Sequence, residues 1–407
     1  MLLRFVDLQI IAVLLESIKA EFKFTDTQLG LLSGFAFALF YATLGVPIAW
    51  MADRYNRRNI IAVAVGVWSF MTALCGTVTG FATLFLARMG VGIGEAGGVP
   101  PSYSIISDYF APEKRGTVFA ILNSATPVGV FVGFLIGGWV NEYYGWRAAF
   151  MVVGIPGIIV ALLIRFTLRE PPRGFSENRH TVIPAPAFTD TISYLWRLRS
   201  YRQIVLGTSI ITLGAMGSGI WIPSFFIRVH GMSIGEVSTW LAFIYGGGGA
   251  VGTMLGGFLS DRLVMKTGDK RWYMWVCTIA TVCILPFVTF VYLWHNPIHA
   301  LLVHIGSNIC MHMFLGPAYG TVQSLAGVRR RAMASAINLL VLNLVALGLG
   351  PLIVGMASDF FTARFGNEAL RYSILLVVII AFSWAAIHFY LASRTLRDDL
   401  AMAGEGN

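Results

Sequence analysis

Charged side chains are scarce in this sequence. Asp, Glu, Lys and Arg make up 12% of its 407 residues, while hydrophobic residues make up 57%. Soluble globular domains carry roughly 25% charged residues, so this composition excludes a protein whose surface faces water throughout. The solvent around most of the surface is therefore lipid, and we predict an integral membrane protein.

Cysteine and catalytic patterns are also rare. The four cysteines lie within apolar stretches and form no C-x-x-C pair, which favours packing over a disulfide or a metal site. His295 and His299 have metal-ligand spacing, but Pro297 between them argues against a helical metal site. The chain has no H-E-x-x-H pattern and no Walker pattern G-x-x-x-x-G-K-[ST]. We predict no enzyme activity, no metal, no cofactor and no ATP-driven step.

Long apolar runs dominate the chain instead. About 20 consecutive apolar residues cross a bilayer as a helix, and such runs recur with short polar breaks between them. We place twelve spans at residues 1–20, 28–51, 60–79, 84–107, 116–140, 146–168, 204–227, 237–260, 272–293, 298–324, 332–357 and 370–392. The predicted fold class is an all-α membrane protein with twelve transmembrane helices.

The basic residues are distributed unevenly between the loops. Of the 29 Lys and Arg residues, 21 lie in or at the border of every second loop and in the C-terminal tail, six lie in or at the border of the opposite loops, and two, Arg4 and Arg88, are assigned to spans. Cytoplasmic loops carry such an excess, so both termini are predicted to be cytoplasmic. The net charge of +9 is thus explained by topology, and no nucleic-acid partner is predicted.

The chain divides into two related halves. The stretch AWMADRYNRR (49–58) matches GFLSDRLVMK (257–266) at an offset of 208 residues, and the same offset superposes the second span on the eighth. Parallel repeats of this kind are typical of transporters whose two bundles are related by an axis along the membrane normal. We predict six-helix bundles at 1–168 and 202–393, a cytoplasmic linker at 169–201 and a cytoplasmic tail at 394–407. Subtracting the offset from the seventh span also predicts that the first helix is truncated at its start.

The linker is the longest polar stretch. Its second part places Ile192, Leu195 and Trp196 on one helical face beside Arg197 and Arg199. This pattern predicts a short helix on the inner membrane surface, and a plain linker is the alternative.

Glycines recur at helical spacing in two spans. Gly129, Gly133 and Gly137 form a ladder in the fifth span, and Gly248, Gly252 and Gly256 form one in the eighth. Small residues at this spacing let helices approach closely. We expect the fifth and eighth helices to touch across the interface between the halves, although such ladders are common in membrane helices generally.

The segment RMGVGIGEAGG (88–98) contains a G-x-G-x-x-G pattern. A dinucleotide-binding loop must follow a strand and open a helix, whereas the residues before this segment continue a membrane helix. As part of a helix, the segment places Arg88, Glu95 and Ser102 on one face and Gly90, Gly94 and Gly98 on another.

Charges at the centre of a bilayer are costly and normally face a cavity or a partner. Arg88 and Glu95 can be such partners, with Asp7 as a third member. Low dielectric favours a protonated carboxyl group and a nearby arginine favours the ionised form, so moving the arginine would switch proton affinity. We therefore predict a proton-coupling site; a static buried ion pair between the first and fourth helices is the alternative.

Longer stretches resemble the major facilitator superfamily. ADRYNRR resembles its signature G-x-x-x-D-R-x-G-R-[RK], with departures at Ala49 and Asn56, and R-x-x-x-G-x-G from Arg88 resembles the arginine motif of proton-coupled exporters. FVDLQ (5–9), LSGFAFALFYATLGVPIAWMADRYNRRN (32–59), RMGVGIGEAGGVPPSYSIISDYFAPEKRG (88–116) and GWRAAFMVVGIPG (145–157) are similar to the spinster subfamily. Leu8 departs from the basic residue that often follows the aspartate there.

The resemblance implies a bacterial spinster homologue that exports amphiphiles by proton coupling, with Asp7, Arg88 and Glu95 as its coupling cluster. Lysolipids or sphingoid phosphates are the implied substrate class, protons and membrane lipids are the partners, and the protein is expected to be a monomer in the bacterial inner membrane. The alternative is a proton-coupled transporter of small organic anions or drugs on the same fold.

Two further sets of residues receive roles. Charge-assisted bonds at the cytoplasmic helix ends can hold a gate shut, with helix capping as the alternative; the predicted gate residues are Asp53, Arg54, Arg57, Arg58, Asp261 and Arg262. Polar and aromatic side chains could line a substrate cavity, or could equally pack between helices. These cavity candidates are Tyr41, Arg88, Ser102, Trp221, Phe225, Tyr245, His312 and Tyr319.

Overall fold

The computed structural model describes residues 1–52, 54–172 and 188–405. All regular secondary structure in these ranges is helical, which confirms the predicted fold class. A helix is the expected form for an apolar segment in lipid, because it satisfies its own backbone N–H and C=O groups.

The helices of the first half follow the predicted spans. They are α1 (Leu2–Phe22), α2 (Asp26–Gly30), α3 (Ala36–Ala52), α4 (Arg57–Cys75), α5 (Phe81–Ala96), α6 (Val99–Tyr109) and α7 (Pro112–Thr167). A π-helical turn, Leu31–Phe35, joins α2 to α3. The fourth predicted span is shared between α5 and α6, and two prolines occupy the first turn of α6, where a missing N–H costs no hydrogen bond.

The fifth and sixth predicted spans lie in the 56 residues of α7. Gly145, between those spans, has φ 81° and ψ 165°, a backbone conformation that L side chains rarely adopt. Gly145 therefore breaks the helix between the two crossings, and no longer loop is needed there.

The second half has nine helices within its described residues. They are α8 (Phe188–Arg197), α9 (Arg199–His230), α10 (Ile234–Phe243), α11 (Gly249–Thr267), α12 (Trp272–Leu293), α13 (Pro297–His312), α14 (Leu315–Leu342), α15 (Gly348–Phe365) and α16 (Ala369–Glu405). Gly327, with φ 65° and ψ 170°, interrupts α14. Helix α16 extends from the twelfth predicted span through the predicted tail as far as Glu405.

Eight stretches of described helix are long and apolar enough to cross a membrane. Two of them, Thr117–Thr167 and Met333–Ala403, contain 51 and 71 residues, which is enough for two crossings each. Helix α1 carries more charges than the other spans, and α5 ends after 16 residues. The predicted count of twelve crossings fits this arrangement when α1 and the α5–α6 pair are included.

The chain forms two compact units. The first comprises Met1–Val182 and Ile220–Gly246, and the second comprises Ile183–Gly219 and Gly247–Asn407. The first unit thus includes the C-terminal part of α9 and all of α10, which packs closely on α7. The boundaries predicted for the two bundles from the sequence remain a prediction.

The glycine ladders pack against helices other than those expected. A Cβ added at Gly133 would lie 3.0 Å from Cα of Val6 on α1, and one added at Gly252 would lie 2.2 Å from the carbonyl oxygen of Ile309 on α13. Residues of the fifth and eighth spans do touch, but they do so within the first unit and beside the ladder. There the Trp139 indole N–H donates to the Thr239 hydroxyl at 3.1 Å.

Candidate functional site

Four charged side chains lie together inside the first unit, and we call them the central cluster: Arg4 and Asp7 on α1, and Arg88 and Glu95 on α5. The structure thus brings together the three residues predicted from the sequence and adds Arg4. Asp7, Arg88 and Glu95 are each at most 1% exposed. With two basic and two acidic members, the cluster is formally neutral, which lowers the cost of burying it.

Asp7 has one close polar neighbour and one distant cation. The Thr72 hydroxyl on α4 donates to Asp7 Oδ1 at 2.6 Å, whereas Arg88 NH1 lies 3.7 Å from Asp7 Oδ2. Among the described residues, Arg88 Nε and NH1 have no hydrogen-bond acceptor and Asp7 Oδ2 has no donor. The pair is therefore an ion pair without a direct hydrogen bond.

Glu95 is held by an arginine that the sequence interpretation had not assigned to the site. Arg4 Nε donates to Glu95 Oε2 at 2.9 Å, and Arg4 NH2 donates to the Tyr41 hydroxyl at 2.9 Å. Leu8 lacks the expected charge, and Arg4, one helical turn earlier on the same face, supplies an ion pair. That spacing was the signal that could have identified Arg4.

The two carboxyl groups of the cluster, on Asp7 and Glu95, are both buried within it. Oε1 of Glu95 and Oδ2 of Asp7 both lack a donor among the described residues. Two ionised carboxylates in one buried cluster repel each other, and a proton bound to either of them removes the repulsion. This arrangement can hold an exchangeable proton.

The glycines of GIGEAG hold α5 against its neighbours. A Cβ at Gly92 would lie 2.5 Å from the carbonyl oxygen of Phe37 on α3, and one at Gly94 would lie 2.5 Å from the backbone nitrogen of Trp68 on α4. Both contacts involve backbone atoms, which have little room to move. The segment lies in helix α5, so its glycines are packing residues that position Arg88 and Glu95.

A second buried arginine lies at one end of the helices of the first unit. Arg57, 1% exposed, begins α4. Its Nε donates to Glu170 Oε1 at 2.8 Å, and its other nitrogens donate to the Asp108 carboxylate, the Ser104 hydroxyl and the Pro171 carbonyl. We call Arg57, Asp108 and Glu170 the Arg57 cluster; it joins the start of α4 to the end of α6 and to the chain after α7.

Glu170 lies outside the predicted spans. Burial acts to raise the pKa of its carboxyl group, but the Arg58 backbone N–H and the Arg57 guanidinium donate hydrogen bonds that outweigh burial, so the pKa lies below its usual value. Glu170 is therefore ionised at neutral pH. Neither Asp108 nor Glu170 was predicted, because only the fold brings them to Arg57.

The remaining predicted gate residues form no comparable network in the described chain. Asp53 lies outside the described residues. Arg54 stacks over the Trp50 ring at 3.9 Å. In the second copy, Asp261 accepts a hydrogen bond from the Tyr273 hydroxyl at 3.1 Å, and Arg262 lies 6.0 Å from the Phe258 ring. These side chains are exposed, in contrast to Arg57.

Comparison with known proteins identifies the family. The model of the Major Facilitator Superfamily matches residues 1–347. The chain belongs to that superfamily, within its spinster subfamily. A bacterial homologue of the human lysosomal transporter spinster, solved in an inward-facing and unoccupied conformation, is 30% identical with a TM-score of 0.89, covering 98% of this chain and 95% of that one.

Two relatives of this superfamily member carry names that describe transport or the spinster family. An "MFS-type efflux pump" of Mycolicibacterium smegmatis is 32% identical over 402 residues, covering 98% of this chain and 91% of the relative. "Protein spinster" of Drosophila melanogaster is 31% identical over 298 residues, covering 71% of this chain and 48% of the relative. The chain is thus an integral membrane protein of a transporter family.

A third charged cluster in this transporter was not predicted. Arg228, near the end of α9, donates to both oxygens of Glu16 at 2.8 and 2.9 Å and to both oxygens of Asp26 at 2.7 and 2.8 Å. Lys19 also bonds to Asp26. All of these residues belong to the first unit. The sequence signal was weak, because Glu16 and Asp26 each look like an ordinary residue at a helix end.

The cavity candidates of the first unit have different surroundings. Tyr41 joins the central cluster through Arg4. Trp221 and Phe225 are fully buried, and the Tyr245 ring stacks on Phe134 with centroids 5.6 Å apart. The Ser102 hydroxyl donates to the Gly98 carbonyl of its own helix. Tyr41 therefore contacts the central cluster, and the Trp221 ring lies 5.7 Å from the Arg228 guanidinium.

The second unit contains the other two cavity candidates. His312 Nδ1 lies 2.9 Å from the carbonyl oxygen of Asn308, one turn earlier on α13, and Tyr319 is half-buried on α14. The ring of His312 lies close to Gly249 of α11. His312 therefore packs between α11 and α13.

The segment GMSIG (231–235) matches the G-x-S-x-G pattern of hydrolase nucleophiles. In the structure Ser233 precedes α10, and its hydroxyl accepts the Glu236 backbone N–H at 3.2 Å. This is a helix N-cap, and the match has a structural explanation.

Proposed function

We propose that the protein is a proton-coupled secondary transporter of an amphiphilic, lipid-like substrate and works by alternating access. The observation that carries this proposal is the incomplete bonding of the central cluster. A purely structural ion pair would be expected to pair its donors and acceptors, because unpaired polar atoms in a buried site are costly. Here Arg88 keeps two nitrogens without an acceptor in the described chain.

In this mechanism Asp7 and Glu95 bind and release the coupling proton. When Arg88 or Arg4 lies close, the ionised carboxylate is favoured; when that arginine turns to another partner, the carboxyl group takes up a proton. An anionic headgroup is a suitable alternative partner for Arg88, because a guanidinium binds phosphate or carboxylate with two parallel hydrogen bonds. Substrate binding and proton binding are thereby linked through one arginine.

The membrane potential can supply the energy for this cycle. One proton moving through 100 mV releases about 2.3 kcal/mol, which corresponds to a concentration ratio of roughly fiftyfold. Transport without ATP hydrolysis therefore has an adequate driving force.

The decisive test of proton coupling is Glu95→Gln in proteoliposomes with an imposed pH gradient. We expect the variant to lose substrate flux driven by the gradient, because an amide cannot carry the proton. Glu21→Gln is the matched control, since Glu21 is 43% exposed and pairs with Arg147. Wild-type flux in Glu95→Gln would refute the coupling role.

The lipid-like substrate class rests on the relationship to spinster proteins and on the anionic partner that Arg88 can accept. Mass spectrometry of amphiphiles that copurify with the protein tests it directly. Enrichment of a lysolipid or sphingoid phosphate over bulk phospholipid, reduced in Arg88→Gln, is the expected result. Equal composition in both preparations would contradict this substrate class.

The alternative is a transporter of small organic anions or drugs with the same proton mechanism. The name of the efflux pump from M. smegmatis favours it. Flux assays with radiolabelled lysolipid and with a drug panel separate the two, since each predicts transport of one set and indifference to the other.

We also propose a gating role for the Arg57 cluster and the neighbouring Asp53, with Arg54, Arg58, Asp261 and Arg262 as accessory residues. Breaking Arg57 from Asp108 and Glu170 would release the start of α4 from α6 and from the chain after α7. Asp53→Asn and Arg57→Gln should each broaden spin-label distances across these helix ends. Unchanged distance distributions would count against the gate.

The orientation and assembly remain part of this proposal. The distribution of basic loops favours a bacterial inner-membrane protein with both termini in the cytoplasm, and a monomer is sufficient for alternating access. Protease or cysteine labelling of sealed vesicles tests the orientation, and native mass spectrometry tests the assembly.

A further inference from the structure

A short amphipathic helix lies just before the seventh predicted span. Helix α8 ends at Arg197, Leu198 is non-helical, and α9 begins at Arg199. One face of α8 is packed on the second unit: Thr191 and Leu195 are each 1% exposed, and the Tyr194 hydroxyl donates to the Leu325 carbonyl on α14. The predicted short helix is therefore present.

Another side of α8, beside the packed one, is open. Trp196 is 53% exposed, and Arg197 and Arg199 are exposed as well. On the adjoining part of α14, the Arg330 guanidinium stacks over the Tyr194 ring at 4.3 Å, and its Nε is buried without a hydrogen-bond partner among the described residues. We call Trp196, Arg197, Arg199 and Arg330 the basic elbow.

The position of the elbow corresponds to a membrane surface. Helix α9 enters the apolar span at Ile204, five residues after Arg199. At 1.5 Å per residue the two lie about 8 Å apart along the helix, and the headgroup layer is about 5 to 8 Å deep on each side of the hydrocarbon core. An exposed tryptophan at this level is typical of an interfacial anchor.

The charge of the elbow is uncompensated. Within the described chain, Arg197, Arg199 and Arg330 form no ion pair, whereas Arg57, Arg271 and Arg397 all pair with carboxylates. Asp399, which bonds to the residue after Arg199, accepts the Ser200 backbone N–H at 2.6 Å. Asp190 lies two turns earlier on α8 and is exposed.

We propose that the basic elbow binds the phosphate of an anionic phospholipid in the adjacent leaflet. Guanidinium groups match phosphate geometry with paired hydrogen bonds, and clusters of basic residues beside a transmembrane helix attract anionic headgroups. Trp196 lies at the level of the glycerol backbone and holds the lipid against α8. The site is separate from the central cluster and does not depend on the proposed transport activity.

The test is a native mass spectrometry titration of the full-length protein with phosphatidylglycerol and with phosphatidylcholine. The double variant Arg197→Gln/Arg199→Gln should bind phosphatidylglycerol about 30-fold more weakly, with phosphatidylcholine binding unchanged. The matched control is Lys266→Gln/Lys270→Gln, which removes two exposed positive charges from the same unit and should leave binding near the wild-type value. Equal losses in both double variants would overturn the proposal, since they would indicate general charge attraction, and so would no loss in either.

A second measurement does not depend on the double variant being folded. The fluorescence of Trp196 is the component present in the wild type and missing in Trp196→Phe, and brominated phosphatidylglycerol should quench it. Adding inorganic phosphate should not restore the quenched fluorescence. The absence of such a component would overturn the lipid site. Displacement by inorganic phosphate at equal concentration would also overturn it, because it would identify a site for free anions.

Discussion

Arg57 and Arg88 are both 1% exposed, yet their surroundings differ completely. Arg57 donates to two carboxylates, a hydroxyl and a carbonyl. Arg88 has one carboxylate at 3.7 Å, and two of its nitrogens lack an acceptor in the described chain. The same side chain is saturated at one site and nearly unbound at the other.

The number of hydrogen bonds decides whether a buried arginine keeps its partners or exchanges them. An arginine whose nitrogens all donate hydrogen bonds leaves its partners only when other interactions replace those bonds, because each lost bond to a charged group costs about 1.5 to 3 kcal/mol. An unsaturated arginine gains bonds when it finds a new acceptor. The Arg57 cluster is therefore suited to holding the proposed gate closed, and the central cluster is suited to exchanging partners.

The largest effect on stability is expected for Arg57→Gln. It leaves Asp108 and Glu170 without their cation in a largely buried site, and we expect the free energy of unfolding to fall by about 3 kcal/mol. Thermal unfolding in detergent, followed by scanning fluorimetry, measures the change.

Arg54→Gln provides the control for this comparison. Arg54 lies on an exposed surface over Trp50, so its loss should cost less than about 1 kcal/mol. Similar losses for both variants would show that the saturated contacts of Arg57 carry no special stability.

Arg88→Gln should cost less than Arg57→Gln, about 1 to 2 kcal/mol, because only one long ion pair is lost. Asp7 can neutralise itself by taking up a proton in place of its cation. The loss should therefore be smaller at pH 5 than at pH 8, as measured by unfolding midpoints at the two pH values. A loss that equals that of Arg57→Gln and does not change with pH would remove the distinction between the two arginines.

Most of the fold was predictable because a segment that crosses lipid must be an apolar helix of sufficient length. Helix length and apolar composition located the crossings, and Gly145 marks one of the predicted breaks. The interruption of the fourth span at Gly97 was not predicted, although Pro100 and Pro101 were visible in the sequence. The partners of the glycine ladders were also missed, since spacing shows that a face is smooth but not which helix covers it.

The charged sites were predictable only in part. Asp7, Arg88 and Glu95 stand out because charges are rare in apolar runs. Arg4 lies near the start of its helix, where a charge is unremarkable. Residues at helix ends, such as Asp108 and Glu170, contact Arg57 from distant parts of the chain. No local sequence pattern predicts such contacts.

Tyr41→Phe tests the Arg4–Glu95 pair of the central cluster, in which the role of Arg4 was not predicted. It removes the acceptor of Arg4 NH2 but leaves the Arg4–Glu95 ion pair, so we expect a loss of about 1 kcal/mol. The pH dependence of transport should also shift, because Arg4 becomes freer to leave Glu95. Phe37→Leu, which alters the ring stacked on Tyr41 without removing a hydrogen bond, is the control; identical pH profiles for wild type and Tyr41→Phe would contradict the role of this contact.

The smallest effect concerns a saturated carboxylate near the surface, Asp269 between α11 and α12. Burial acts to raise its pKa, but the Arg271 backbone N–H and the Arg397 and Arg271 side chains donate hydrogen bonds that lower it to about 2. A depressed pKa stabilises the fold above the unfolded value of about 4, and this contribution is lost as the pH falls from about 4 to 2.

Asp269→Asn should therefore cost about 0.5 kcal/mol at pH 7, since Arg271 and Arg397 are 38% and 59% exposed and solvent screens the pairs. The gap between wild-type and variant unfolding midpoints should shrink by about half at pH 3 and should also shrink in high salt. A gap that is constant in pH and salt would mean that Asp269 acts through backbone geometry alone. Saturation of a charge would then stabilise this protein only where water is excluded, as it is around Arg57.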